Sequence, residues 1–177
     1  VSDVSNPADE SVVGQVALGD ASDVDDAVSA ARKAFETYSL TSIEERISLF
    51  DRIIAAYDKR VSDLALAVTD EMGAPQWLSE QLQVTVGVAH FKIARAALET
   101  YRFDEPLGTS EVVREPIGVC ALVTPWNWPL MLMAAKVAPA LAAGCTVVLK
   151  PSEIAPFSGT ILAEILHDAG VPKGVFN

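Results

Sequence analysis

The chain has 177 residues, of which 50% are hydrophobic and 21% are charged, a composition typical of a globular protein with a sizeable core. Its formal net charge of −11 argues against nucleic acids and anionic membrane surfaces as partners, because both require basic patches. The two cysteines, the polar start and the lack of an apolar run of ~20 residues favour a cytoplasmic protein without disulfides, secretory signal or membrane span.

The first part of the chain is predicted to form a short β-hairpin followed by two helices. The turn residues Asn6, Pro7 and Gly14 punctuate a segment that contains Val12, Val13 and Val16, which indicates the hairpin. Ser22 with Asp25, and Thr41 with Glu44, have the spacing of capping boxes. Each pair precedes a run of apolar residues at helical spacing, so each is expected to begin a helix.

The middle of the chain is predicted to contain two further helices and an edge strand. Gly73 ends the first of these helices, and a long helix is expected over Pro75–Tyr101. The following segment, 105–115, is polar and contains turn residues. Its valines, Val112 and Val113, suggest a strand at an edge.

The last part of the chain is predicted to form a β-α-β unit. The apolar run Gly118–Val123 reads as a strand, and helix-forming residues follow the next turn as far as Ala143. Gly144 supplies a stop, and Thr146–Leu149 reads as a buried strand. Polar clusters come directly after both strands. In open parallel sheets, ligands bind at this position.

A second helix and a third strand are expected to complete the pattern. Pro156 suits the first position of a helix that ends at Gly170, and Val175 and Phe176 begin another strand. The periodicity therefore predicts an α/β fold with a doubly wound parallel sheet. The dinucleotide fingerprint G-x-G-x-x-G is absent after the first strand, so general motifs alone do not identify a cofactor.

Several unusual motifs occur in fixed order in this last part. PWNWP occupies residues 125–129, ALAAG occupies residues 140–144, and VVLKPSE occupies residues 147–153. Together they resemble the signature blocks of the NAD(P)-dependent aldehyde dehydrogenase superfamily. Weaker similarity runs back to the N-terminus, so the resemblance covers essentially all 177 residues. Family members are much longer, and the chain resembles their N-terminal, cofactor-domain portion.

The resemblance implies an aldehyde dehydrogenase-like fold divided into three parts. Residues 1–104 would form the N-terminal helical part of the cofactor domain. Residues 105–117 would form a projecting hairpin used in oligomerisation, and residues 118–177 the Rossmann-like β-α-β-α part. A homodimer or homotetramer is therefore expected, and the catalytic domain would lie outside this sequence.

The resemblance also implies an activity, which is the NAD(P)-dependent oxidation of an aldehyde to a carboxylic acid. The reaction would pass through a thiohemiacetal and a thioester on a cysteine outside these residues, so the chain alone is expected to be inactive. NAD is the expected cofactor, with NADP as the second candidate. We expect a truncated enzyme, and the alternative is a non-catalytic dinucleotide-binding or subunit-interaction fragment.

Two residues are candidates for the chemistry. Asn127 sits in a turn between two prolines, where its amide N–H could stabilise an oxyanion; the alternative is that it caps the following helix. Lys136 lies in an otherwise apolar helix. The resemblance implies a role for it in a proton relay or in positioning, and the alternative is a lysine whose stem snorkels along apolar surface.

Lys150 and Glu153 follow a strand end, where an adenosine ribose can lie across the sheet. A carboxylate there accepts hydrogen bonds from ribose hydroxyls, and an ammonium donates them. The alternative is a solvated pair of loop charges. The resemblance extends the cofactor-binding set to the following residues: Thr124, Pro125, Trp126, Lys150, Ser152 and Glu153.

The remaining reactive residue types are expected to have structural roles. Cys120 lies within a predicted strand and has no histidine or cation nearby in sequence, and Cys145 lies at the entry of the next strand. His90 and His167 are far apart on helices and do not have metal-ligand spacing. We therefore expect no metal site and no nucleophile among these residues.

Overall fold

The computed structural model describes all 177 residues, from a small N-terminal hairpin to a parallel sheet flanked by helices. The strands are β1 (Ser2–Ser5), β2 (Val12–Val16), β3 (Asp104–Leu107), β4 (Ser110–Val113), β5 (Val119–Val123) and β6 (Thr146–Lys150). The helices are α1 (Ala21–Tyr38), α2 (Ile43–Asp58), α3 (Val61–Met72), α4 (Gln76–Leu78), α5 (Val84–Leu98), α6 (Pro129–Ala142) and α7 (Phe157–Asp168).

Helices α1 and α2 both begin at capping boxes, but not at the predicted residues. In α1 the reciprocal pair is Asp20 with Asp23, and in α2 it is Ser42 with Glu45. The predicted pairs were wrong by two residues and by one. Acidic and hydroxyl side chains repeat at this spacing in both segments, and only the backbone conformation of the cap residue selects one pair.

Helix α3 stands alone, whereas α4 and α5 form one nearly continuous helix. Helix α3 ends at Gly73, whose φ of 69° is readily reached only without a Cβ. Helix α4 then runs through a π-helical turn, Ser79–Gln83, into α5. The predicted long helix over Pro75–Tyr101 is therefore present, with a π-turn that no residue pattern in the sequence indicates.

Strands β3 and β4 form a hairpin that extends away from the rest of the chain. They pair antiparallel from Asp104 opposite Val113 to Leu107 opposite Ser110, and every residue of both strands is exposed. The predicted strand at Val112 and Val113 is confirmed as part of β4. Arg114 closes the hairpin with an ion pair to Glu105 at 2.9 Å.

Strands β5 and β6 pair in parallel, and α6 forms the crossover between them. Their register runs from Val119 opposite Thr146 to Val123 opposite Lys150. On its other edge β6 pairs with the end of the chain through a parallel bridge between Val147 and Phe176. The predicted parallel sheet is thus confirmed, with β6 in the centre, whereas the predicted third strand is present only as this isolated bridge at Phe176.

A single apolar core joins the N-terminal helices to the sheet. Its 27 buried residues extend from Tyr38 to Val175. Polar contacts reinforce the junction at the ends of two helices. The Tyr38 hydroxyl donates to the Leu141 carbonyl at 3.0 Å, and Arg46 Nη1 donates to the Ala142 carbonyl at 2.8 Å. Both cap the last turn of α6, which contains no basic residue of its own.

Helix α7 is capped at its last turn in the same way. Arg52 Nε donates to the Ala169 carbonyl at 2.9 Å. Side chains from the first third of the chain thus satisfy carbonyls at the ends of both sheet helices. None of the helices has the length and apolar composition that a membrane crossing requires.

Candidate functional site

The candidate site consists of the two segments that follow the parallel strands, which we call the strand-end loops: Thr124–Trp128 after β5 and Pro151–Pro156 after β6. The two loops leave the sheet side by side. The Thr124 amide donates to the Lys150 carbonyl at 3.2 Å, which extends the ladder between β5 and β6 by one bond. The two polar clusters that the sequence predicted to lie near each other are therefore neighbours.

Thr124 carries a buried hydroxyl at the start of the first loop. The residue is 4% exposed, and Oγ1 has no hydrogen-bond partner within the chain. A buried hydroxyl normally makes a hydrogen bond, because burial without one has a free-energy cost. Thr124 is thus one polar group in the first loop whose hydrogen-bonding capacity no other group of the chain uses.

Asn127 does not cap helix α6. The helix begins at Pro129, and its N-cap residue is Trp128, which makes no capping hydrogen bond through its side chain. The capping alternative for Asn127 is therefore wrong. Its side chain is exposed in a turn that runs directly into a helix starting with proline. The amide is available to a molecule bound over the loop.

Apolar side chains surround these polar groups. Trp126 in the first loop is 48% exposed, Ile154 in the second is 52% exposed, and Val123 at the end of β5 is 69% exposed. Exposed apolar side chains grouped beside a few directed polar groups are typical of ligand-binding surfaces.

Lys150, the last residue of β6, forms an ion pair with Glu153 in the second loop. The ammonium lies 2.6 Å from Glu153 Oε2, and both side chains are more than half exposed. The hydrogen bond from Lys150 holds the pKa of the Glu153 carboxyl below its usual value. Both groups remain accessible to a ligand, which would have to share or replace this contact.

Ser152 is buried and stabilises the second loop internally. Its Oγ accepts a hydrogen bond from the Ile154 amide at 3.2 Å, and its carbonyl accepts one from the Ala155 amide at 3.2 Å. These bonds form a tight turn. The turn fixes the position of Glu153, which lies inside it.

Lys136 lies apart from the two loops. It is exposed on α6 seven residues after Pro129, which corresponds to about 10 Å along the helix axis. Its neighbours Met133 and Val137 are fully buried. The structure thus brings Asn127, Lys150 and Glu153 to one edge of the sheet, with Lys136 further down the connecting helix.

Glu71 caps the helix that follows the second loop, a contact that the sequence analysis missed. It lies on α3 and is completely buried, yet its carboxylate reaches the first turn of α7. Oε2 accepts from the Phe157 amide at 2.5 Å, and Oε1 accepts from the Ser158 amide at 3.1 Å. Burial raises the pKa of Glu71, while the hydrogen bonds from Ser158 and Phe157 favour its ionised form.

Only an indirect signal in the sequence points to this cap. The N-cap residue of α7 is Pro156, which has no side-chain acceptor for the free amides of the first turn. A partner from elsewhere in the chain is therefore required. The sequence does not reveal which residue it is.

The two cysteines lie at the sheet, outside the strand-end loops. Cys120 is half-buried on β5, and burial, with a contribution from nearby Cys145, raises the pKa of its thiol to about 11. Cys145 is buried, and both thiols are free. The raised pKa of Cys120 is the opposite of what an activated nucleophile requires. The chain contains no group of three His, Cys, Asp or Glu side chains arranged to hold a metal ion.

Comparison with known proteins gives a consistent result. The model of the aldehyde dehydrogenase family matches residues 2–177. A 3-succinoylsemialdehyde-pyridine dehydrogenase from a Pseudomonas species is 54% identical over 176 residues, which is 99% of this chain and 37% of that protein. A putative aldehyde dehydrogenase from Staphylococcus aureus strain MW2 is 50% identical over 175 residues, again 99% of this chain and 37% of that protein.

Solved structures give the same match. A mutant of aldehyde dehydrogenase C from Pseudomonas syringae, in complex with NAD+ and octanal, superposes with a TM-score of 0.97 at 53% identity. The match covers 99% of this chain and 36% of that one. An aldehyde dehydrogenase from Bartonella henselae superposes with a TM-score of 0.96 at 42% identity, over 99% and 38% of the two chains. The chain thus spans slightly more than a third of the length of the proteins it matches.

Proposed function

The chain belongs to the aldehyde dehydrogenase family, and from this we propose that it forms the N-terminal, cofactor-binding part of an enzyme that oxidises an aldehyde to a carboxylic acid with NAD. NADP is the second candidate cofactor. The observation that carries the proposal is the juxtaposition of the two strand-end loops, joined by the Thr124–Lys150 hydrogen bond. In this arrangement one ligand can contact both loops.

The order of the strands supports a dinucleotide at this position. The terminal strand pairs with β6, and β6 pairs with β5, which corresponds to the 3-2-1 half of a doubly wound sheet. In such sheets the crevice that binds the ligand opens beside the first strand, at the point where the strand order reverses. Here the first strand is β5, and the loop Thr124–Trp128 leaves its carboxyl end.

We assign the adenosine ribose to the second loop. Glu153 accepts hydrogen bonds from the ribose hydroxyls, and Lys150 donates one, so that the ion pair between them opens when the ribose binds. Ser152 keeps the loop in the required turn. In the first loop, the unpartnered hydroxyl of Thr124 and the surfaces of Pro125 and Trp126 contact the dinucleotide.

The bound dinucleotide supplies the hydride acceptor. Asn127 supplies the electrostatic part of the reaction in this proposal, because its amide N–H stabilises the oxyanion formed when a thiolate attacks the aldehyde. The prolines on either side restrict the backbone, so the amide needs little rearrangement during the reaction. Trp126 and Trp128 exclude water from the same region. Lys136 takes a positioning or proton-relay role further along α6.

The nucleophilic thiolate comes from outside these 177 residues. Cys120 is held protonated by burial, and Cys145 is buried in the core beside it. A general base is also absent from their surroundings. The proposal therefore needs the remaining part of the family fold for turnover.

The exposed hairpin β3–β4 provides the surface for subunit association. We propose that residues 105–117 contact another subunit in a homodimer or homotetramer. Residues 1–104 and 118–177 together form the cofactor domain, since they share one core. The same exposed hairpin favours the second candidate function, a non-catalytic subunit-interaction fragment.

The proposal is tested on the purified natural protein in two steps. Its intact mass separates the two candidates, because 18.8 kDa would indicate that this chain is the whole product. Titration with NAD, followed by tryptophan fluorescence, then tests binding near Trp126. Aldehyde-dependent formation of NADH tests turnover. A longer protein that binds neither NAD nor NADP would contradict the proposed function.

A further inference from the structure

We propose that Glu71 is a positioning residue for the cofactor: by holding the first turn of α7, it fixes the loop Pro151–Pro156 in the conformation that receives the ribose. This inference rests on the proposed function, because it assigns Glu71 a role in dinucleotide binding. Glu71 itself lies on α3, in the N-terminal helical part of the chain, and does not contact the ligand.

The contacts of Glu71 carry the first step of the argument. Its two carboxylate oxygens accept from the consecutive amides of Phe157 and Ser158, at distances between 2.5 and 3.3 Å. These amides are among those that an α-helix leaves without internal partners. A carboxylate at this end also interacts favourably with the helix dipole. Because Pro156 provides no cap, this end of α7 depends on Glu71.

The second step is that both ends of the loop meet this same turn of the helix. At its C-terminal end the loop continues directly into Phe157. At its N-terminal end, Pro151 packs on Gly159, where an added Cβ would lie 3.2 Å from Pro151 Cγ. The first turn of α7 is therefore the base of the loop, and a shift of that turn displaces Glu153.

The third step is that few contacts within the loop hold its conformation. Glu153 and Ile154 are exposed, and the loop is held by the two bonds to Ser152 and by the exposed ion pair between Glu153 and Lys150. A loop that reaches its binding conformation for only a fraction of the time binds its ligand more weakly by that fraction. Loss of the Glu71 cap is therefore expected to weaken cofactor binding without changing the reacting groups.

Arg52 offers a matched control, because it caps the other end of the same helix from α2. Its bond to the Ala169 carbonyl stabilises α7 about 18 Å from the loop, which is the length of a 12-residue helix. Glu71→Ala and Arg52→Ala each remove a cap contributed by a distant part of the chain. Only the first of them is adjacent to the candidate ribose site.

The experiment measures the Kd for NAD, kcat at saturating NAD, and Tm for the natural full-length enzyme and three variants. In Glu71→Ala we expect Kd to rise about tenfold, equivalent to about 1.4 kcal/mol, with kcat within about twofold. Glu71→Gln keeps an acceptor oxygen and should recover part of the affinity. Arg52→Ala should lower Tm and leave Kd unchanged. Hydrogen exchange of residues 151–156 should quicken only in the Glu71 variants.

Two results would overturn the inference: an unchanged Kd in Glu71→Ala, or an equal rise in Kd in Arg52→Ala, which would indicate general destabilisation. If Glu71→Ala does not fold, the Glu71→Gln variant provides the test. An unchanged Kd together with unchanged hydrogen exchange of residues 151–156 in that variant would also overturn the inference. Wild-type enzyme that fails to bind either dinucleotide would instead contradict the proposed function itself.

Discussion

The ammonium of Lys150 lies 2.6 Å from a carboxylate oxygen of Glu153, so the two charged groups assigned to one ribose neutralise each other in the structure. Because of this contact, the loop carries one positive and one negative group side by side. A ligand with hydroxyl groups can insert between the two charges, because it offers both a donor and an acceptor. A phosphate at the same position would meet the carboxylate directly.

We expect Glu153→Gln to narrow the preference for NAD over NADP. The variant keeps an acceptor oxygen for the ribose and removes the charge that repels a 2′-phosphate, so kcat/KM for NADP should improve. Because both side chains are exposed and screened by solvent, the ratio should change by about twofold to fivefold. The measurement is kcat/KM for both cofactors in the wild type and the variant.

Glu36→Gln is the control for this experiment. It makes the same chemical change at an exposed position on α1. It should leave the cofactor ratio as in the wild type. If Glu153→Gln also leaves the ratio unchanged, Glu153 does not face the ribose, and the two charges are a solvated pair in the loop.

We expect Asn127→Ala in the full-length enzyme to lower kcat by about 10²–10³, the usual loss for one oxyanion donor. Asn127→Asp should lose a similar factor, because its carboxylate has the same shape but no N–H to donate. The Kd for NAD should stay nearly constant in the alanine variant. Turnover close to that of the wild type, under conditions where the chemical step limits the rate, would contradict the assignment.

We expect the 177-residue polypeptide on its own to show no aldehyde oxidation, because it has neither an activated thiolate nor a base beside one. The measurement is NADH formation by the purified polypeptide with excess aldehyde and NAD. Activity that persists after removal of any longer enzyme would refute this. Alkylation of Cys120 or Cys145 would then identify the responsible residue.

We expect Cys120 to react slowly with iodoacetamide. Burial raises the pKa of its thiol from 9.0 to about 11, so near pH 8 its thiolate fraction is about a hundredfold below that of an unperturbed thiol. The rate should increase with pH up to about 11. Mass spectrometry of the labelled peptide, with a short cysteine-containing peptide as reference, measures it. A rate at pH 8 equal to that of the reference would contradict the burial argument.

We expect Gly87→Ala to destabilise the fold by about 1–3 kcal/mol through overpacking. An added Cβ would lie 2.4 Å from the Tyr57 hydroxyl and 3.0 Å from Leu130 Cβ, where α5 packs on α6. The Tyr57 hydroxyl would also lose its bond to the Val84 carbonyl. Urea unfolding followed by circular dichroism measures the change. The exposed Thr85→Ala on the same helix is the control and should stay within about 0.5 kcal/mol.

Most elements, and the position of the two strand-end loops side by side, could be predicted from the sequence, because both depend on local patterns. The hydrophobic run before Thr124 and the run before Lys150 define two strands. Parallel strands then bring the residues that follow them to one edge. The end of α6 before Gly144 is likewise local, because glycine lacks a Cβ and readily adopts the φ of 85° found there.

Contacts between distant residues could not be predicted. Glu71 lies in a helical segment where a glutamate is ordinarily exposed, and its partners are 86 and 87 residues away. The role of Asn127 was also ambiguous, because asparagine favours both turns and helix caps. Only the position of the first helical residue, Pro129, excluded the cap.

The three charged caps, from Arg46, Arg52 and Glu71, also determine how the chain assembles. They connect residues separated by 96, 117 and 86 positions, so a large loop must close before any of them forms. Folding should therefore be slower than in a helical bundle whose contacts are local. During synthesis the helices that carry the caps emerge before α6 and α7. Helices α2 and α3 thus provide a surface on which α6 and α7 dock. The N-terminal helices thereby act as a template for the C-terminal ones.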